Sequence, residues 1–278
     1  HQLNIGQPDI HTPDALYDAI HNFRTPVLAY AASPGIPELI SAIEGYYRNI
    51  GVQLSESDIL VTTGGSEALQ IAANCLLDDG DEVYREFIYD GAEPATAGSF
   101  RDIDENLILI DSVSKRFSAC GARIGALISR NRGIMQGALK LAQARLSVAT
   151  LDQIASAALY SVGPDYFEAV REEYCRRRDT VVAGLKKIPG VVCECPQGAF
   201  YLMAALPVDS ADRFQQWLLE EFDDHGETVM FAPGDGFYQT PGKGHNEIRI
   251  AYVLNQADCA RAIELLGLGI AKYNEAKR

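Results

Sequence analysis

The sequence predicts an α/β protein: a large domain on a doubly wound, mostly parallel sheet, then a smaller α/β domain. Three observations carry this. Short apolar runs, Ile59-Leu60-Val61-Thr62 and Leu107-Ile108-Leu109-Ile110, are separated by stretches whose apolar residues recur at helical spacing. The first run turns through Gly64-Gly65-Ser66 into an apolar helix, the strand–turn–helix order of a wound sheet. Beyond Pro189 the pattern changes to short strands interleaved with helices, which marks a second unit.

Taken in order, residues 13–23 and 37–50 read as helices. Each starts at a proline, and Leu39, Ile43 and Tyr46/Tyr47 fall on one face of the second. Residues 58–63 read as a strand and 67–77 as the helix after the glycine turn. Two further strands, 107–110 and 125–129, precede helices at 134–147 and 150–162. A long helix over 165–188 aligns Phe167, Val170, Tyr174, Val181, Leu185 and Ile188, and its run Arg176-Arg177-Arg178 reads as a solvated face. Strands at 191–193 and 199–206, a helix at 211–222, strands at 228–231 and 247–253, and a helix from Gln256 complete the chain. The expected division is an N-terminal segment, 1–12, packing with the small domain; a large domain, 13–165; and a small domain, 166–278.

Composition narrows the function classes. The 278 residues are 47% hydrophobic and 22% charged, a soluble globular composition long enough for two domains. A net charge of −14 without a basic run argues against a nucleic-acid partner. Six cysteines (Cys75, Cys120, Cys175, Cys193, Cys195, Cys259) lack a secreted disulfide pattern and read as buried reduced thiols. Cys193-Glu194-Cys195 has no partner pair at zinc spacing, so no metal is expected. No stretch is apolar enough to cross a bilayer and no signal peptide opens the chain, which fits a cytoplasmic enzyme.

The chemistry concentrates at Ser112-Val113-Ser114-Lys115, directly after an apolar strand, with Arg123 eight residues beyond the lysine. A lysine at the mouth of a sheet can be desolvated, which frees its amine for Schiff-base chemistry. Hydroxyls and an arginine fork suit a phosphate dianion. A reactive lysine beside a phosphate clamp is what pyridoxal phosphate requires. An ordinary surface lysine is the plain alternative, and the preceding strand and spaced arginine weigh against it. Gly64-Gly65-Ser66 would present helix N-terminal amides to an anion, or serve only tight packing.

Here the chain resembles class I/II aminotransferases of fold type I, in particular the bacterial aspartate aminotransferase-like branch. The resemblance runs from Asn4-Ile5-Gly6-Gln7-Pro8-Asp9 to Arg249-Ile250-Ala251-Tyr252. It implies a cytoplasmic homodimer that uses pyridoxal phosphate to move an amino group, by a ping-pong mechanism, between an amino acid (aspartate is one candidate) and a 2-oxo acid. By the same resemblance Lys115 holds the cofactor and relays the proton. Ser112, Arg123, Gly65 and Ser66 form the phosphate cup, and Ser114 matches the same motif, with shaping of the turn as its alternative role. Asp81 pairs with the pyridine nitrogen, with a strand-entry turn residue as the alternative reading. Tyr84 bonds the ring oxygen, and Tyr30 reaches the partner subunit's phosphate, so that active sites are shared. Arg249 becomes the clamp for the substrate α-carboxylate, assisted by the backbone of Gly6. The family leaves the second cation for an acidic side chain open among Arg24, Lys140 and Arg145.

One feature departs from the family. Between Leu77 and Leu107 there are too few strands and crossovers for a doubly wound sheet. The family carries a long segment here, with a ring-stacking aromatic and an Asn-Pro-x-Gly motif, and this sequence contains no Asn-Pro. The expectation is a further segment between Gly80 and Tyr84 in the expressed polypeptide, with a natural deletion as the alternative. Two competing functions share the motifs: another fold type I enzyme, such as a β-lyase or decarboxylase, and a non-catalytic cofactor-binding sensor module. The sensor would want a fused helix-turn-helix and a basic surface, neither of which the sequence shows.

Overall fold

The structure, a computed structural model, describes residues 1–75, 79–81, 84–92, 96–99 and 104–277, and the chain divides into two compact units. One unit comprises Ile10–Glu86 and Glu93–Phe167. Its helices α1 (Asp14–His21) and α2 (Pro37–Asn49) precede strand β1 (Ile59–Thr62), helix α3 (Gly64–Cys75) and strand β2 (Asp79–Asp81). Strand β3 (Ile108–Ser112), the single-turn helix α4 (Val113–Arg116), strand β4 (Gly125–Ile128) and helices α5 (Arg132–Ala144) and α6 (Thr150–Leu159) follow.

The sheet order is β1-β4-β3-β2. Strand β4 runs antiparallel to both neighbours, and β2 is parallel to β3, so β1, β3 and β2 share one direction. Alternating side chains give the sheet two buried faces. Ile59, Val61, Leu109, Ala126 and Ile128 join Leu39, Ile43 and Tyr47 of α2 and Leu159 of α6. Leu60, Ile108, Ile110 and Leu127 join Ala68 and Ile71 of α3 and Ala138 and Ala142 of α5. Each fully buried Leu or Ile contributes roughly 1.5–3 kcal/mol. Helices cover both faces, as a doubly wound sheet requires.

The other unit comprises His1–Asp9, Phe87–Ala92 and Glu168–Arg278. Helix α7 (Pro164–Leu185) enters it from Glu168 onward, followed by strands β5 (Val192–Cys193) and β6 (Tyr201–Ala205), helix α8 (Ala211–Glu220), strands β7 (Ala232–Pro233) and β8 (Glu247–Ala251), and helix α9 (Gln256–Ala276). The sheet is antiparallel in the order β5-β6-β8-β7. Helices pack closely where glycines remove side chains: a Cβ on Gly184 would lie 2.8 Å from Ile263, and one on Gly269 would lie 2.6 Å from Leu218. Among the described residues no helix is long and apolar enough to cross a membrane.

Four readings of the sequence change. Residues 228–231 are not a strand of this sheet. Met230 makes one bridge to Gln2, its backbone bonded to His1 and Leu3, and the strand is Ala232–Pro233 instead. The arginine run is not a solvated face: Arg177 and Arg178 are buried, at 5% and 3% exposure. Both lie at helical spacing on the stripe of Tyr174 and Val181, and distant acceptors neutralise them. Arg177 bonds Asp9, Glu173 and the Val253 carbonyl, while Arg178 bonds Asp90, Asp179 and the Pro196 carbonyl. The segment Phe87–Ala92, which the sequence reading leaves in the large domain, packs in the C-terminal unit. Ile88 bridges Gly198, and the Tyr89 hydroxyl donates to the Ala199 carbonyl. Of the cysteines whose side chains are described, all are free, but only Cys259 is buried and Cys195 is exposed.

Candidate functional site

Strand β3 delivers Asp111 and Ser112 to the start of α4, whose third residue is Lys115. Ser112 caps this turn: its Oγ accepts from the Ser114 amide at 3.1 Å and lies 2.9 Å from the Ile124 carbonyl and 2.8 Å from Ser114 Oγ. Both serines are buried, so their hydroxyls shape the lysine's turn. Lys115 is half-buried, and its Nζ lies 3.7 Å from Cys120 Sγ.

Arg123 follows one short loop later. It is exposed and sits in the left-handed region at φ 52°, where a side chain is strained, and its Nη1 donates to the Cys120 carbonyl at 3.0 Å. Its guanidinium lies against the first turn of α3: a Cβ on Gly64, itself at φ +71°, would be 2.5 Å from Arg123 Nη2. Gly65 is half-buried and Ser66 exposed on the same turn. Gly125 joins these pieces, because its Cβ would lie 2.6 Å from the Gly64 carbonyl carbon, 2.7 Å from the Gly65 amide nitrogen and 2.8 Å from the Asp111 carbonyl oxygen. A strained, exposed arginine over the N-terminus of a twelve-residue helix, beside a half-buried lysine, fits a phosphate-bearing aldehyde cofactor.

Other predicted residues fall as follows. Parallel pairing places the backbone of Asp81 opposite Ile110, on the strand that runs into the lysine's turn. The Asp81 side chain lies outside the described residues. Tyr84 is half-buried. Tyr30 is 81% exposed, beside exposed Val27 and Leu28. Arg145 pairs with Glu67 on the first turn of α3 and donates to the Val61 carbonyl at 2.7 Å.

Gly6 and Arg249 meet in the C-terminal unit. Arg249 lies on β8, paired with Met203 on one side and Ala232 on the other. Its guanidinium is held between two rings, 4.6 Å from the centroid of Tyr201 and 4.9 Å from that of Phe237. Nη2 donates to the Asn4 carbonyl at 3.3 Å, while Nε is buried without a hydrogen-bond partner among the described residues. A Cβ on Gly6 would overlap the Tyr201 hydroxyl at 1.6 Å, so the N-terminal backbone passes directly over the ring that faces Arg249. A planar cation with an unused buried donor is equipped to receive a carboxylate. Sequence reasoning missed Tyr201 and Phe237. Their only signal is their place, Tyr201 on the strand paired with that of Arg249 and Phe237 in the glycine-rich run Pro233-Gly234-Asp235-Gly236-Phe237-Tyr238.

The model of the aminotransferase class I and II family matches residues 80–266. An aspartate aminotransferase of Pyrococcus horikoshii is 24% identical over 354 aligned positions, covering 94% of this chain and 88% of the relative. Those positions outnumber the 278 residues here, so the relative carries a long stretch without a counterpart. An aspartate aminotransferase of Bacillus sp. strain YM-2 is 31% identical over 200 residues, covering 69% of this chain and 48% of the relative. Among solved structures, a Thermus thermophilus aspartate aminotransferase double mutant matches with a TM-score of 0.83 at 20% identity, covering 96% of this chain and 91% of that one. That likeness shows the fold type I architecture.

Proposed function

We infer the function of this chain from one premise: it belongs to the aminotransferase class I and II family, whose members use pyridoxal phosphate to move amino groups. Within that activity we assign the residues. Lys115 holds the cofactor aldehyde and, once released, carries a proton to and from the substrate α-carbon. Arg123, the Gly65 and Ser66 amides and the α3 N-terminus hold the phosphate, with Ser112 and Ser114 fixing the turn beside them. Asp81 and Tyr84 serve the ring nitrogen and oxygen. When bound, the cofactor supplies an electron sink that makes the α-proton acidic. Arg249 receives the α-carboxylate with the backbone at Gly6, so an amino acid and a 2-oxo acid bind at one place in turn. Relatives named aspartate aminotransferases make aspartate the first donor to test. Exposed Tyr30, with Val27 and Leu28, supports a homodimer whose partner subunit completes the cofactor site, and the cytoplasm is the compartment we propose for it. The family's aromatic and Asn-Pro asparagine have no counterpart here, and the expressed polypeptide would carry them in a segment between Gly80 and Tyr84. An intact mass equal to the 278 residues refutes that segment.

The observation that carries the reading is the placement of Lys115 and Arg123 with the α3 N-terminus in a single unit. Lys115→Ala is expected to fold, to lose the borohydride-reducible cofactor adduct and to lose nearly all transamination. A fully occupied, reducible adduct in the variant refutes it. Return of the aldehyde spectrum on adding a 2-oxo acid separates transfer from lyase or decarboxylase chemistry.

A further inference from the structure

Beside Lys115 the interior holds a charged pair that none of these roles uses. Asp111 and Arg116, four residues before the lysine and one after it, are each 1% exposed, and Arg116 Nη1 donates to Asp111 Oδ2 at 2.9 Å. The Ser112 amide donates to Asp111 Oδ1 at 2.7 Å, and the Tyr47 hydroxyl donates to Oδ2 at 3.2 Å. The Arg116 guanidinium lies 4.0 Å from the centroid of Tyr46. The Tyr46 hydroxyl donates in turn to Glu86, two residues beyond Tyr84, and Tyr160 meets the same ring edge-on. Burial works against the charge on Arg116, but Asp111 and the surrounding tyrosines more than offset it. The groups facing the pair are therefore Tyr46 and Tyr47 from α2, Tyr160 at the end of α6, and Glu86; Cys120 faces the lysine.

Replacing a buried ion pair by apolar residues is often neutral or stabilising, so stability alone gives this one little purpose. Its geometry is more telling. The pair closes the backbone from 111 to 116 into a ring around the lysine's turn, and through Tyr46 it ties that turn to the segment of Tyr84. We propose that Asp111 and Arg116 are positioning residues for Lys115: the closed ring sets where the amine points, and the pair's neutrality leaves no net charge beside it. This rests on Lys115 being the cofactor lysine.

The test uses holoenzyme prepared with pyridoxal phosphate, following visible absorbance against pH alongside cofactor affinity and transfer rate. Asp111→Asn strands a guanidinium that cannot lose its proton. An unpaired cation about 10 Å from a titrating amine, at an effective dielectric near 20, lowers its midpoint by about one pH unit, so the absorbance midpoint should fall by that order. Adding Arg116→Met removes that charge and returns the midpoint toward wild type. The double variant still has an open ring, so its transfer rate stays about tenfold or more below wild type. A merely structural role moves neither reading in a folded, loaded protein. A wild-type midpoint in Asp111→Asn, or a wild-type rate in the double variant, overturns the proposal. If Asp111→Asn does not fold, Arg116→Met decides through its transfer rate, because a buried Asp111 without its partner takes up a proton and leaves the midpoint in place: the open ring lowers the rate of the loaded, folded variant about tenfold or more, and a wild-type rate overturns the proposal. Survival of the absorbance band in Lys115→Ala would instead sink the underlying assignment and leave the pair's geometry intact.

Discussion

Two arginines suited to anions, Arg123 and Arg249, are placed by opposite means. Arg249 sits in a regular strand with a ladder on either side and two aromatic rings within 5 Å of its guanidinium. Arg123 sits in no regular element; one left-handed residue, propped against a glycine turn, aims it. The strand spreads the cost of positioning over many hydrogen bonds, while the turn concentrates it as strain at a single residue. On the proposed roles, the group that must release its ligand each cycle is held rigidly, and the one whose ligand stays can lean on that ligand for order.

Breaking the comparison begins with the larger effect. Arg249→Lys keeps the charge and loses the planar fork, so affinity for amino and 2-oxo acids should fall together by about 1–3 kcal/mol. Cofactor affinity should hold; half-reaction kinetics at wild-type values would show that the arginine only packs. Gly64→Ala attacks the other arginine through its prop. The added methyl meets Arg123 at a positive φ, so thermal unfolding should record a loss of about 1–2 kcal/mol and cofactor affinity should drop with it. Full cofactor affinity would mean that Arg123 does not need the turn. Arg123→Gly should relieve the left-handed strain, and after the entropy cost of glycine the apo protein should gain about 0.5 kcal/mol while phosphate binding weakens. A less stable apo protein would remove strain from the comparison.

A last test separates the units by pH. Burial pushes the Cys259 thiol up to about 12 in the C-terminal unit. A raised folded value contributes stability that is complete below the unfolded value near 9 and is lost as pH climbs toward 12. Urea midpoints measured from pH 8 upward should decline faster for wild type than for Cys259→Ala, and parallel slopes would remove the thiol as a cause.

How much of this could be read from sequence depended on how far apart the partners lie. Ser112, Lys115 and Arg123 fall within one short stretch, and the wound sheet was legible because its strands are apolar on both faces. The burial of Arg177 and Arg178 was not legible, because their acceptors Asp9 and Asp90 lie in segments remote along the chain. Residues 228–231 misled for a related reason: their apolar alternation serves pairing with the N-terminal segment. The ring closed by Asp111 and Arg116 escaped notice because charges beside a reactive lysine look solvated until Tyr46 and Tyr160 are seen to cover them.

Gly125 has a consequence for how this protein can change over time. Two segments press on the space its side chain would occupy, the Gly64-Gly65 turn and the carbonyl of Asp111, whereas Gly121, four residues earlier, has nothing within 4 Å of that space. Neutral drift can therefore explore position 121 freely and is closed at 125. The loop between lysine and arginine is free to vary at its tip, while its base holds the register between the first turn of α3 and the strand that leads into the turn of Lys115.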